Sequence, residues 1–284
     1  MRFTSVRFDG LSSALFKLRG ASLADPYVIT DIDGLGPTEV DVSISTSAHG
    51  EGRHSSSFSN PRQLVFSLTI NPDYKSGKTV SDLREELYWL SESGYKRGVR
   101  ITLVNSDKDV CSVTGYVSRF EPNIFSPETT IQITFKCLDS KLTGPEIVTH
   151  TSENSVLTVI PQGTARTQPR LYIDFIKPST TLSVVRMINN EWEESFELTG
   201  FEYQPGDRIA LGHIDGLKQV VWSRRNNDTG ETQTASHIRY LSLQSKWPQL
   251  DPSGDNVLIA WGSDYLQGDV RIVQAAYRPK YRGV

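Results

Sequence analysis

Between Thr130 and Cys137 the side chains Ile131, Ile133, Phe135 and Cys137 alternate with Thr130, Gln132, Thr134 and Lys136. Successive side chains leave a strand on opposite sides, so a period of two marks a strand with one buried face. The period recurs in Val40-Val42-Ile44, Leu64-Phe66-Leu68-Ile70, Val99-Ile101-Leu103 and Leu171-Ile173-Phe175. Turn formers such as Lys177-Pro178-Ser179, Gln204-Pro205-Gly206-Asp207 and Asp215-Gly216 separate the runs of the second half. Many short strands with frequent turns restrict the chain to a mainly β fold of sandwich or barrel type. One stretch breaks the pattern. Val80, Leu83, Leu87 and Leu90 fall at helical spacing, which predicts a helix over Val80–Ser91. Thr79 or Ser81 caps it, Asp82 suits its first turn, and Gly94 reads as its stop.

The stretch Lys246–Trp261 reads as strand stop, turn and strand. Trp247-Pro248 ends a strand expected over Ile238–Leu243, because proline offers no N–H to a ladder. Asp251 to Asn256 is a run of turn formers. Val257–Trp261 resumes as a strand with Val257, Ile259 and Trp261 on one apolar face, which further strands are expected to cover.

The character changes around Leu138–Ser155, which contains Gly144-Pro145 and few apolar residues. This divides the chain into an N-terminal β domain with one helix over 1–140, a linker over 141–154 and a β-sandwich over 155–284. Within the first domain, Ser45–Pro61 is rich in Ser and Gly, with Phe58 as its one large apolar residue. It reads as a long loop without structure of its own, and such loops are usually functional. A lid, or an arm that orders against a neighbouring subunit, fits it, with His49, Glu51, Arg53, His54 and Phe58 as the candidate contact residues.

Chemistry is harder to find. A net charge of −3 provides no basic field for nucleic acid or an anionic membrane. No apolar run has the length of a spanning helix, and the first residues do not read as a signal peptide. Cys111 and Cys137 sit in strand patterns and are expected as free, buried thiols. His49 and His54 flank Glu51, but their spacing and the intervening glycines do not make a zinc helix. Gly77-Lys78-Thr79 ends like a phosphate loop, yet Pro72 stands where that loop needs glycine. Asp31-Ile32-Asp33-Gly34 is a fragment of a calcium loop and reads better as a turn. No catalytic residue, metal ligand or cofactor is assigned, and the chain is not expected to be an enzyme. Trp192, Trp222 and Trp247 are candidates for stacking on sugars, against the plainer reading that they serve the core and its rim.

The order of these features resembles the distal tail proteins (Dit) of long-tailed siphophages. Three stretches carry the likeness: Tyr27–Pro37, with Ile32-Asp33-Gly34-Leu35-Gly36-Pro37 leading to the Ser/Gly-rich segment; Arg62–Leu68, followed by the leucine-rich helix; and Tyr203–Ile209, followed by Trp247–Asn256. One departure is Ser253, inserted between Pro252 and Gly254 where the family runs Pro-Gly-x-Asn. The resemblance implies a belt domain that closes into a ring, expected as a hexamer, and a galectin-like C-terminal sandwich. It also implies a structural protein of the virion tail tip, made in the host cytoplasm, whose ring joins the tail tube protein to a tail-tip hub (Tal-type) protein. Side fibres and host-surface glycans are further expected partners. A carbohydrate-binding module is the alternative reading.

Overall fold

A computed structural model describes residues 3–9, 15–18, 25–46, 52–71, 78–106, 108–122, 130–189, 191–214, 217–226, 229–263 and 268–283. The chain forms two compact units, Met1–Pro145 with Tyr281–Val284, and Glu146–Lys280.

The first unit holds β1 (Ser5–Asp9), β2 (Leu15–Leu18), β3 (Tyr27–Asp33), β4 (Val40–Thr46), β5 (Gly52–Ser59), β6 (Gln63–Ile70), α1 (Val80–Lys96), β7 (Val99–Asn105), β8 (Lys108–Pro122), β9 (Thr130–Cys137) and β10 (Leu142–Thr143). Its main sheet runs β8-β7-β1-β2-β3-β6-β9, and β8 also pairs with β9, which closes the strands into a barrel. Among the described strands of this barrel, β2 and β3 pair in parallel. The alternating apolar residues point inward: Phe8, Phe66, Leu68, Ile101, Ile133 and Phe135 are all 1% exposed or less. Aromatic edges and faces fill the centre, with Phe8 4.8 Å from Phe16, 5.1 Å from Phe66 and 5.4 Å from Phe135 between ring centroids.

The helix sets Leu83, Leu87 and Leu90 into this core and packs on β8 and β6. Thr79 and Asp82 cap it reciprocally: Asp82 Oδ2 accepts from the Thr79 amide (2.7 Å), and Thr79 Oγ1 accepts from the Asp82 amide (3.3 Å). It does not stop at Gly94 but continues to Lys96. Gly94 is there for space: a Cβ at this position would lie 2.3 Å from Val117 Cγ2 on β8. This glycine serves close packing and does not terminate the helix.

The long polar excursion is not a structureless loop. β5 pairs antiparallel with β4 as a separate two-stranded ribbon. Its alternation also misleads, because Val40 and Val42, expected on a half-buried face, are 51% and 54% exposed. The serine-rich β5 lacks an apolar face, so only the backbone ladder marks it as a strand, and that leaves no trace in hydropathy.

The second unit holds β11 (Val148–Thr151), β12 (Val156–Val159), β13 (Arg170–Phe175), β14 (Ser179–Ile188), β15 (Glu191–Tyr203), β16 (Asp207–Ile214), β17 (Leu217–Arg225), β18 (Thr232–Ser236), β19 (Asn256–Trp261) and β20 (Val270–Tyr277), and β21 (Lys280–Tyr281) follows. β10 and β11 fall within the stretch read as linker, and the last residues group with the first unit. A six-stranded sheet, β11-β20-β13-β16-β17-β18, faces a four-stranded one, β12-β19-β14-β15. Leu171, Ile173, Ile209 and Ile272 of one meet Val159, Leu182, Phe196 and Leu258 of the other in a single core. Among the described residues the fold is therefore mainly β with one α-helix, a barrel followed by a sandwich.

Two expectations fail here. Ile238–Leu243 is not a strand; Ile238–Tyr240 is a short 3₁₀ turn, and Leu243 is fully exposed. The chain has just left β18, where the His237 amide bonds Val220 O, and it must turn back toward β15, where Ser242 N reaches Glu197 O. In β19 the core face is Asn256, Leu258 and Ala260, while Val257, Ile259 and Trp261 lie on the other side, half-buried. Both faces of this strand are apolar, so alternation cannot choose between them.

Candidate interaction surfaces

The residues that suggested chemistry are occupied structurally. Lys78 pairs with Glu86 and Thr79 caps the helix, while Gly77 lies outside the described residues. Asp33 Oδ1 accepts from the Gly34 amide at 2.7 Å, and Gly34 adopts φ +87°, so the stretch is a turn. Burial pushes both the Cys111 and Cys137 thiols up to about 11, which leaves them almost wholly protonated and poorly nucleophilic at neutral pH. Among the described residues no group of three or more His, Cys, Asp and Glu side chains is placed to hold a metal ion.

Among the buried carboxylates of the sandwich, Asp174, Asp207 and Asp251 face arginine, while Asp269 pairs with Lys177. Asp174 accepts from Arg208 and from Arg271, and Asp207, fully buried, from Arg224. Burial alone would raise both carboxyls, but the arginine bonds outweigh it and hold them below the usual range. Asp251 goes further. Burial opposes ionisation there too, yet the Ser253 amide and hydroxyl and the Arg166 guanidinium bring the carboxyl down to about 2. These are anions held in place by their partners, Asp174 across three neighbouring strands and Asp207 and Asp251 at turns.

Two arrangements explain the stretches that carry the family likeness. In the first unit Arg62 is 1% exposed and points all its donors at backbone carbonyls: Nε and Nη2 to Ser140 O (3.1 and 2.9 Å), Nη1 to Gly34 O and Gly36 O (2.5 and 2.8 Å), and Nη2 also to Arg282 O (2.5 Å). Burial lowers its pKa, but a guanidinium keeps its proton. In the second unit Asn256, 0% exposed, closes the turn after Trp247-Pro248. Its Oδ1 accepts from the Asp251 amide, and its Nδ2 donates to Asp251 O and Gly254 O, each at 2.8 Å. The inserted Ser253 is absorbed because its amide reaches Asp251 Oδ1 at 2.9 Å.

Of the candidate contact residues, His49 and Glu51 lie outside the described residues. Arg53, His54 and Phe58 are on β5, opposite Ser45, Ile44 and Asp41 of β4. The tryptophans are not gathered into one platform. Trp222 is 8% exposed and stacks on the buried His237, with the Arg224 guanidinium 5.2 Å from its ring centroid. Burial keeps that imidazole below its ordinary pKa, so it is neutral. Trp247 is half-buried against Phe196. Trp192, 61% exposed, meets Trp261 edge to face at 6.2 Å.

Two surfaces escaped the sequence reading. α1 turns Tyr88, Trp89 and Tyr95 outward, 41%, 58% and 51% exposed. Their positions off the leucine stripe could have revealed this. The other is the outer side of the four-stranded sheet around Trp192, signalled by the two-sided apolar character of β19.

No protein-family model matches the chain. No curated protein matches it in sequence either. Among solved structures it is similar to Dit (gp 19.1) of SPP1, described as a paradigm of the hub adsorption apparatus in phages that infect Gram-positive bacteria. That likeness has a TM-score of 0.64 at 18% identity and covers 99% of each chain. Two structures of the phage p2 baseplate in its activated conformation, one with Sr and one with Ca, cover 94% of this chain and 100% of theirs, with TM-scores of 0.40 and 0.41 at 12% and 11% identity. At these identities the likeness is one of fold, and for SPP1 Dit it extends over both units.

Proposed function

We propose that this chain is a structural protein of a long-tailed phage, built into the tail tip as a ring that joins the tail tube to the hub. The observation that carries the reading is the end-to-end match in fold to SPP1 Dit, barrel and sandwich together. A shared architecture over 99% of both chains is more specific than a shared sandwich alone, since sandwiches host many unrelated roles. The first unit supports self-association. Its β4–β5 ribbon pairs with no other described strand and exposes two valines, and a lone two-stranded ribbon is marginal in water unless something packs on it. A neighbouring copy in a closed ring is such a partner, and a ring of six follows the family resemblance.

Light scattering with negative-stain imaging of the purified chain tests this. A ring with a single stoichiometry is expected, and deletion of residues 48–57 should disrupt it. Unchanged assembly in the deletion would remove the ribbon from the contact.

A role in binding host glycans is the second reading, supported by the exposed indole of Trp192. Trp192, Trp222 and Trp247 each pack against different neighbours, so Trp192 is the indole on which this reading rests. A glycan array probed with the full chain separates the two, since a scaffold alone retains no sugar.

A further inference from the structure

On the four-stranded sheet of the sandwich the core takes Leu182, Val184, Phe196, Leu198, Leu258 and Ala260, so the alternate residues face outward. In an antiparallel sandwich that outer side is ordinarily polar. Here it carries Val156, Met187, Trp192, Val257, Ile259 and Trp261, brought side by side by the pairings Val156↔Ile259, Met187↔Val257 and Met187↔Trp192. None of the six belongs to the core cluster of this unit. Exposed Glu191 and Asp255 lie at the Trp192 end. A contiguous apolar patch with an acidic border marks a protein contact, and tryptophan and methionine are enriched in such contacts.

The opposite face of the same sandwich has the complementary character. Leu171, Ile173 and Ile209 point into the core, which turns Arg170, Tyr172, Asp174 and Arg208 outward. Arg271 joins them beside Asp174, so two guanidinium groups, those of Arg208 and Arg271, flank one carboxylate, with Arg170 on the same face. Arg170 lies over the Tyr172 ring at 5.4 Å, and its Nε is buried without a hydrogen-bond partner.

We propose that the tryptophan-bearing face of one copy docks on the arginine-bearing face of the next. This rests on the ring reading above and names a second set of contacts within that ring. Joining front to back is a heterologous contact, the kind that repeats around a closed ring. Four strands at about 4.8 Å spacing and four or five residues of length give a footprint of a few hundred Å². That is below the ~800 Å² per partner of a stable complex. The contact therefore reinforces an assembly whose copies are already held close and does not create a dimer by itself.

The test is the concentration at which the full-length assembly dissociates, read by mass photometry on dilution. Trp192→Glu, at an exposed position, should raise it about tenfold or more, as loss of a tryptophan anchor does. Glu191→Arg and Arg271→Glu should each raise it, and the two combined in one chain should restore part of the loss. Circular dichroism melts serve as the folding control. Wild-type and variant assemblies that dissociate alike would overturn the docking while leaving the ring intact. A wild-type chain that never exceeds a monomer would overturn both. Loss of retention on a glycan array in Trp192→Glu, with dissociation unchanged, would reassign the face to sugar and overturn the proposal as well.

Discussion

Replacing Arg62 by methionine tests whether the residues that carry the family likeness are fold pins. Arg62 is buried among four carbonyls, those of Gly34, Gly36, Ser140 and Arg282, with no carboxylate in hydrogen-bond contact. Two effects compete. Methionine fills similar volume and relieves the desolvation of a cation, an effective cost of several kcal/mol. It also leaves four carbonyls without this donor, at roughly 1–3 kcal/mol for each that finds no water. The second effect should win, because the bonds are charge-assisted and all are lost together. A net loss of about 3 kcal/mol follows, about two orders of magnitude in the folding equilibrium. For a unit of this size that is a fall of roughly 10 °C in the melting temperature. Urea titration followed by near-UV circular dichroism measures it. Lysine, a compact ammonium with three donors, should recover only part of the loss. Carboxypeptidase should also trim the chain end faster in Arg62→Met, because Arg282 O loses its anchor. A change below about 1 kcal/mol would show that water or backbone shifts satisfy the carbonyls, and the pin argument would be wrong.

Asn256→Ala strips the turn of three hydrogen bonds, and thermal unfolding of the second unit should drop by about 3 kcal/mol, with Asn256→Asp intermediate because a carboxylate cannot donate to Asp251 O and Gly254 O. Gly94→Ala should destabilise, although alanine in a helix normally gains about 1 kcal/mol over glycine, because its Cβ meets Val117; calorimetry decides the sign. Asp251, held at about 2 in the folded state, stabilises fully above the ordinary carboxyl range and progressively less as pH falls from about 4 to 2. That contribution is about 2 kcal/mol, so urea midpoints of Asp251→Asn should show a shallower acid slope than wild type.

Legibility followed the physics of burial. Strands with one buried face, such as β9 with Ile131, Ile133 and Phe135 or β13 with Leu171, Ile173 and Phe175, announce themselves by period. β18 (TQTAS), exposed along its length, carries no such signal, and the serine-rich sequence of β5 has no apolar period to read. β19 failed in the opposite way, being apolar on both sides, and its register with β12 and β14 picks the core face. Pins such as Arg62 and Asn256 were visible only as members of motifs: the carbonyls that Arg62 reaches lie 26 to 220 residues away, and the Asn256 bonds exist only once the Asp251–Gly254 turn has closed. The outer tryptophan pair was half legible. Trp192 stood out by type, but its companion Trp261 is set by strand pairing across the sheet.

In the proposed function this chain works by shape and by assembling with itself. The mass of the purified full-length protein in solution tests that most directly. A defined multiple of the 31.8 kDa chain, seen as closed rings by electron microscopy, is the expected result. A single 31.8 kDa species that persists at high concentration would contradict it.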